Sequence, residues 1–526
     1  MPASIVWNRV PLPPSRLAPL PPTAIQPGEA LRARIAESRP WDIEGRLLRA
    51  CLLRDNTAME AAQRELAGVM HSDAPPSDAE IRAIMLYHAI SSDKEAPLFL
   101  LRYARSLRDM LAEGKVLTAE QAANIGTLLH MCLWLYNLTG QRVLLSLCKQ
   151  LKALAPDWMS TLHIFPQTRA VAEVPPMDTD AYWRVHGPTI AASLKTPALQ
   201  ALFEGGMKNE TAFHVGWEKL TRYHGAAHGL FNADPLLAGA DPSRNLEPTV
   251  VRETLSSLIT LLWAQSGGEA GDLIERIYHG PLSFGGGEEA ANQPTVRNAS
   301  STAGTETYCG SLWMASADEG LAAVGYATSE VRWRLSGQLV RVEMETAYPA
   351  EETIRLRVHV AEPLRFPLYL RIPAWAEGAS AAVDGEDALD CKAGEFARLD
   401  REWQPGDGIT LTLPMAVRTV ARFHQSVSVE RGPLTFALDA EQDAPWNRAI
   451  VPSRGFEVEI REGIPTIRAW MAETPSWTLR GDRPAAPPIA PAVRPEQLRQ
   501  VTLWPYGRTS ARIAQFPLGV LSEMED

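Results

Sequence analysis

The chain has 526 residues, 45% of them apolar, which is enough for two to four domains with a sizeable core and excludes disorder as the main state. Lys and Arg number 51 against 62 Asp and Glu, a net charge of −11 with no basic run, which excludes a nucleic-acid footprint or an anionic-membrane surface. The five cysteines (Cys51, Cys132, Cys148, Cys309, Cys391) are scattered without a C-x-x-C, which argues against a disulfide framework and a zinc ribbon.

Residues 1–27 are Pro-rich and extended, with no apolar leader. No apolar stretch reaches the ~18 residues a membrane span needs, and the expectation is a soluble, cytoplasmic protein. From 28 to 282 the pattern is helical: GEALRARIAES, DAEIRAIMLYHAI, APLFLLRYARSLRDMLAEG, EQAANIGTLLHMCLWLYNLTG and RVLLSLCKQLKALA are amphipathic windows between short breakers. Helix pairs on short turns over this length predict a solenoid or an α/α toroid, and no fixed repeat favours the solenoid. The period then changes to two. Val340, Val342 and Met344 alternate with polar residues, as do Ile354, Leu356, Val358 and Val360, then Phe366, Leu368, Leu370 and Ile372, then Ile409, Leu411 and Leu413. Strands at this spacing without intervening helices predict an antiparallel β-sandwich over 283–440. A C-terminal β-module follows over 441–526 and contains a stiff Pro-rich connector at 483–495. FGGGEEA (284–290) lacks the Lys and Ser/Thr of a phosphate loop and reads as linker, and Glu430-Arg431-Gly432-Pro433 reads as a strand-edge turn.

Several strings resemble one family, the β-L-arabinofuranosidase-like glycoside hydrolases (family 127 and relatives). In the helical half these are HGPTIAASLKTPAL (186–199), RYHGAAHGLFNADPLLAG (222–239) and LEPTVVRETLSSLITLL (246–262). In the β half they are AYPAEETIRLRV, LYLRIPAWA, VDGED, REWQPGDGITLTLPM, VERGPL and TLWPYGRTSARIAQFP, and the order holds from about Tyr136 to Pro517. The resemblance implies an (α/α)6 barrel carrying the site, followed by β-sandwich modules. It also implies a zinc held by three cysteines and a glutamate, a cysteine thiolate that attacks the anomeric carbon, and a glutamate acid/base. This chain departs from that set. Asp234-Pro235 stands where the family has Asp-Glu, Glu247-Pro248-Thr249 where it has Glu-x-Cys, and Val296-Arg297 near its paired cysteines; Cys309 lies too close to SLWM to be either. The expectation is therefore no metal and no cofactor.

Two carboxylates remain as catalytic candidates, Glu247 and Asp234. Pro248 pushes Glu247 out of the α region and suits a first helical position, so Glu247 sits at a helix mouth, as a base or nucleophile or simply as the cap. Asp234 either pairs with it as in ordinary glycosidases or serves an Asp-Pro turn. His186, His224, Tyr223 and Trp183 cluster as candidates for binding a sugar. The leading reading is an exo-acting glycoside hydrolase on a small oligosaccharide, working without zinc, with a carbohydrate substrate as partner and a homodimer left open. A catalytically silent paralogue that binds glycan or a partner protein, and a sugar lyase or isomerase on the same barrel, are the alternatives.

Overall fold

The architecture was read from a computed structural model, which describes residues 5–40, 42–244, 246–283, 304–439, 447–474, 477–480, 483–508 and 513–522. The helical half is an (α/α)6 barrel, and β-sheet modules follow it. Each amphipathic window of the sequence becomes a helix: Glu29–Glu37, Asp78–Ser91, Glu95–Ala112, Ile125–Thr139 and Val143–Leu154. Local signals set their ends. Ser77 and Glu80 form a reciprocal capping box, Asp42 caps Ile43–Leu53 through Gly45 N, and Gly140 in the left-handed region stops Ile125–Thr139. Outer helices bury one stripe, as Glu95–Ala112 does with Ala96, Phe99, Leu100, Ala104 and Leu107. Pro248–Gln265 lines the barrel axis and is buried nearly all round, polar positions included.

Those polar positions are matched in pairs around the axis. The buried Arg82 guanidinium reaches Glu44 at 2.7 Å and Glu253 at 3.2 Å, and Arg252 links Glu253 (2.7 Å) to Asp42 (2.9 Å). Burial alone would raise the Glu253 carboxyl, but Arg82, Lys195 and Arg252 outweigh it and hold the group down at about 2. Lys195 is itself lowered by burial to about 8, with Glu253 opposing that shift.

The sandwich has a five-stranded sheet in the order Leu17–Pro19, Trp313–Ser316, Gly320–Ala323, Leu364–Arg371, Phe396–Trp403. Its seven-stranded partner runs Leu389–Asp390, Ser380–Val383, Gly408–Thr412, Thr353–His359, Gln338–Thr346, Ser329–Leu335, Ile25–Pro27. The alternating residues of the sequence face one shared core, which is continuous with that of the barrel. Pairing is antiparallel except where Gly320–Ala323 meets Leu364–Arg371.

The extended N-terminal segment is built into the sandwich: Leu17–Pro19 and Ile25–Pro27 supply an edge strand to each sheet. Three expectations change. The second β-module begins well before 441, because Val417–Ala421, Val427–Arg431 and Leu434–Leu438 pair with one another and onward to Arg499–Pro505. The Pro-rich connector is partly paired, through Arg483–Ala486 with Thr478–Arg480 and Ala492–Val493 with Val520–Leu521. Proline tolerates such short edge pairings because little of its ladder is needed. Glu430 is no surface turn residue: it is 1% exposed and is met by Arg276, Arg418 (3.0 Å) and Arg422 (2.5 Å). No helix among the described residues is long and apolar enough to cross a membrane.

The axial ion pairs give a stability test. Arg82→Met leaves Glu44 without its guanidinium and Glu253 with Arg252 alone as an ion-pair partner, and should cost about 3 kcal/mol in denaturant unfolding. Arg46→Met, whose 2.5 Å pair with Glu65 is exposed, should cost less than about 1 kcal/mol. The depressed Glu253 carboxyl adds stability that is full above its ordinary 4.5 and is lost as pH falls toward about 2. Glu253→Gln should accordingly flatten part of the acid limb of stability against pH.

Candidate functional site

Three of the sequence candidates, Glu247, Asp234 and His186, come together where Gly187–Ser193 and Pro248–Gln265 begin. His186 bridges to Leu236, and Ala233 bridges to Leu246, so Asp234 and Glu247 each follow a bridged position and lie side by side along the backbone. Gly187 N donates to Pro235 O at 2.9 Å. A Cβ on Gly187 would stand 2.3 Å from that of Ala233, so only glycine lets the helix start approach this loop.

Glu247 is extended and caps its helix: Oε2 accepts from Val250 N at 3.1 Å and Oε1 accepts from the Thr249 hydroxyl at 2.9 Å. The Asp234 carboxylate lies 3.2 Å from Arg244 Nε. His186 precedes the neighbouring helix without a side-chain cap, stacks on Tyr182 at 5.5 Å and meets Trp183 edge-on at 5.2 Å. Its Nδ1 is 3.0 Å from Thr189 Oγ1, and burial lowers the imidazole to about 4, so it is neutral at pH 7. A neutral imidazole can hydrogen-bond a hydroxyl without attracting an anion.

The remaining candidates lie behind these helix starts. His224 is fully buried. Its Nε2 donates to Gln167 O at 2.6 Å, and its Nδ1 accepts from Gly239 N at 2.9 Å. Both ring nitrogens are engaged, which makes His224 a pin between the 167 and 239 loops rather than a ligand for a sugar. Trp183 is buried with its indole N–H on Met177 O at 2.9 Å, and the half-buried Tyr223 stacks on Phe165 at 6.4 Å.

A second feature has no counterpart in the sequence reading. An axial cavity of about 300 Å³ lies between helices of the barrel and the N-terminal segment at Leu17–Pro22, with Trp134, Trp263, Asp42, Arg82, Arg252 and Glu306 among its lining residues. None of the six sequence candidates lines it. Its polar end lies at the first turns of Ile43–Leu53 and Thr305–Gly310 and the second turn of Pro248–Gln265, roughly a turn and a half along from Glu247. The signal that could have found it is a charge set inside an apolar run, as in AEIRAIM and VVRETL.

The residues present do not fit the zinc that the family resemblance implies. Pro235 and Thr249 hold no carboxylate or thiolate, and Val296–Arg297, like FGGGEEA, lies outside the described residues. Cys309 is fully buried with its thiol pushed far up by burial, and burial raises Cys51 to about 11. Among the described residues no three His, Cys, Asp or Glu side chains converge as a metal would require.

A helical barrel with its mouth at the inner helix starts, locked to β-sheet modules, is an architecture of carbohydrate-active proteins. Residues 320–415 match the family described as beta-L-arabinofuranosidase, GH127 middle domain. No curated protein matches. Solved structures extend the likeness over nearly the whole chain. A protein described as a glycoside hydrolase shares 16% identity at a TM-score of 0.71, covering 96% of this chain and 98% of its own. A GH127 β-L-arabinofuranosidase from Geobacillus stearothermophilus shares 17% at 0.63, covering 94% and 93%, and a further GH127 β-arabinofuranosidase shares 14% at 0.66, covering 96% and 98%. The chain is thus GH127-like, with a GH127 middle domain in its β half and the fold of that family throughout.

Two measurements test the departure from zinc. Metal analysis of the purified protein should find no stoichiometric zinc, and a chelator should leave its melting temperature unchanged. Alkylation of accessible thiols should leave any glycosidase activity intact.

Proposed function

We propose that this protein is a glycoside hydrolase acting from the chain end on a small oligosaccharide, without zinc. The observation that carries the reading is the juxtaposition of Glu247, Asp234 and His186 at the mouth of a GH127-like barrel. Glu247 accepts two hydrogen bonds at a helix N-terminus and so suits a base or nucleophile better than a proton donor. His186, neutral and flanked by Tyr182 and Trp183, suits the binding of sugar hydroxyls. Asp234 is the weaker member, since Arg244 already engages it.

A second reading has its own support. The Asp234–Arg244 pair and the fully engaged His224 fit a silent relative that binds glycan without cleaving it. A panel of aryl glycosides and natural disaccharides, beginning with those of L-arabinose, decides between them. Under the hydrolase reading Glu247→Gln lowers kcat about 10²-fold or more while stability shifts by no more than about 1 kcal/mol, and Asp234→Asn costs less. A Glu247→Gln enzyme at the wild-type rate removes that residue from the mechanism. Wild-type inactivity across the panel, with saccharide binding retained, favours the silent relative.

A further inference from the structure

The axial cavity holds a second pair of carboxyl groups, and their surroundings differ. Asp42 is held as an acceptor: Oδ1 takes the Gly45 N–H at 2.7 Å, and Oδ2 faces Arg252 at 2.9 Å. Glu306 is 2% exposed and only half engaged. Its Oε1 accepts from Gly304 N at 3.0 Å, while Oε2 is buried with no hydrogen-bond partner among the described residues. A buried carboxyl oxygen without a partner is costly unless it carries a proton or meets a ligand. Burial indeed raises this group to about 7, with Asp42 adding to the rise and Gly304 N and Ser38 opposing it.

The two groups are close. Asp42 Oδ1 and Glu306 Oε1 each stand 3.2 Å from the Cβ position of Gly45, so at most twice that, about 6.4 Å, separates them. Paired carboxyls about 5–5.5 Å apart serve retaining glycosidases, whereas inverting ones need roughly 6.5–9.5 Å to seat a water. The lining is of the mixed kind that takes a saccharide, with Trp134 and Trp263 among its apolar residues and Arg252 and the carboxyls at its polar part.

We propose that the axial cavity is a saccharide-cleaving pocket in which Glu306 protonates the leaving glycosidic oxygen while Asp42 attacks the anomeric carbon. This rests on the hydrolase reading above and revises it at one point: the nucleophile is Asp42 and the acid Glu306, and Glu247 at the mouth positions the substrate. In the first step the bond from Asp42 to C1 forms, the bond from C1 to the leaving oxygen breaks, and the Glu306 proton passes to that oxygen. In the second, water attacks C1, returns a proton to Glu306 and releases Asp42, so the anomeric configuration is retained.

The test uses the full chain and a matched pair of aryl glycosides, of L-arabinofuranose first, with 4-methoxyphenol and 2,4-dinitrophenol as leaving groups. Glu306→Gln should lose about 10²-fold or more on the methoxyphenyl glycoside and less than about tenfold on the dinitrophenyl one, which leaves without a proton. Asp42→Asn should lose activity on both, and NMR of the wild-type product should show the retained anomer. Equal loss of Glu306→Gln on both substrates, the wild-type rate on both, or an inverted product overturns the proposal while leaving the hydrolase reading intact. Wild-type inactivity on the whole panel ends that reading and this one with it. If Glu306→Gln does not fold, the wild-type pH profile decides. Glu306 is faced by Asp42 with its partner Arg252, by Ser38, and by the Cys309 thiol of its own helix. A falling limb of kcat/KM near pH 7 supports the assignment, and a flat profile from about 6 to 9 overturns it.

Discussion

The barrel is tied to the β modules through one short helix, Gly268–His279, whose Asp272, Glu275 and Arg276 reach into them. Arg371 of the sandwich is fully buried and enters between Asp272 and Glu275. A Cβ on Gly271 would stand 2.5 Å from its side chain, so that glycine is what admits the guanidinium. Glu275 also takes the Tyr326 N–H at 3.0 Å and the Tyr348 hydroxyl at 2.9 Å. The next residue, Arg276, reaches Glu430, already bound by Arg418 and Arg422. Arg276 and its arginine neighbours outweigh burial there and hold the Glu430 carboxyl at about 2. Separating barrel from sheets would strand charges on both sides, and each stranded charge costs several kcal/mol. The β modules are therefore part of what keeps the barrel shut.

A barrel whose lining helices all start at one end has a further consequence. Helix N-termini carry partial positive charge, and acids gather where those ends converge. Asp42, Glu44, Glu247 and Glu306 all sit at a cap or in a first turn at this end, and Asp78 stands there beside Arg82. Arg82, Arg252 and Lys195 offset the charge from the second turn inward. The mouth is thus acidic because of the fold, before any chemistry is asked of it. This explains why a carboxylate-based site could persist in a barrel whose matching positions lack zinc ligands.

The period change from helix to strand was legible because burial imposes it residue by residue. Val340, Val342 and Met344 alternate for the same reason that Val251, Leu255, Leu258 and Leu262 do not. The Glu-Pro helix start was legible too, since proline restricts its neighbour locally. What was hidden depends on distant pairings. Glu430 reads as a turn until Arg276, more than a hundred residues earlier, is brought against it. The Pro-rich ends read as linkers because an edge strand needs few ladder bonds and leaves little pattern. His224 looked like a ligand because a histidine satisfied by a carbonyl and an amide gives no sequence sign of either. The cavity was invisible for the opposite reason: its carboxyls come from separate helices, each carrying an unremarkable acid.

The two acidic pairs differ in what they can offer a glycosidic bond. Glu247 accepts two hydrogen bonds, and Asp234 faces a guanidinium, so the mouth presents acceptors. Hydrolysis also needs a donor for the leaving oxygen, and His186, lowered to about 4 by burial, holds no spare proton at neutral pH. A cavity group that does is Glu306, where burial outweighs the hydrogen bonds that would favour its charged form. Environments that push two carboxyls apart are how one fold obtains both an acid and a base. By that argument the chemistry lies in the barrel axis rather than at its rim, and the residues that resemble the family's motif would position the substrate on its way in.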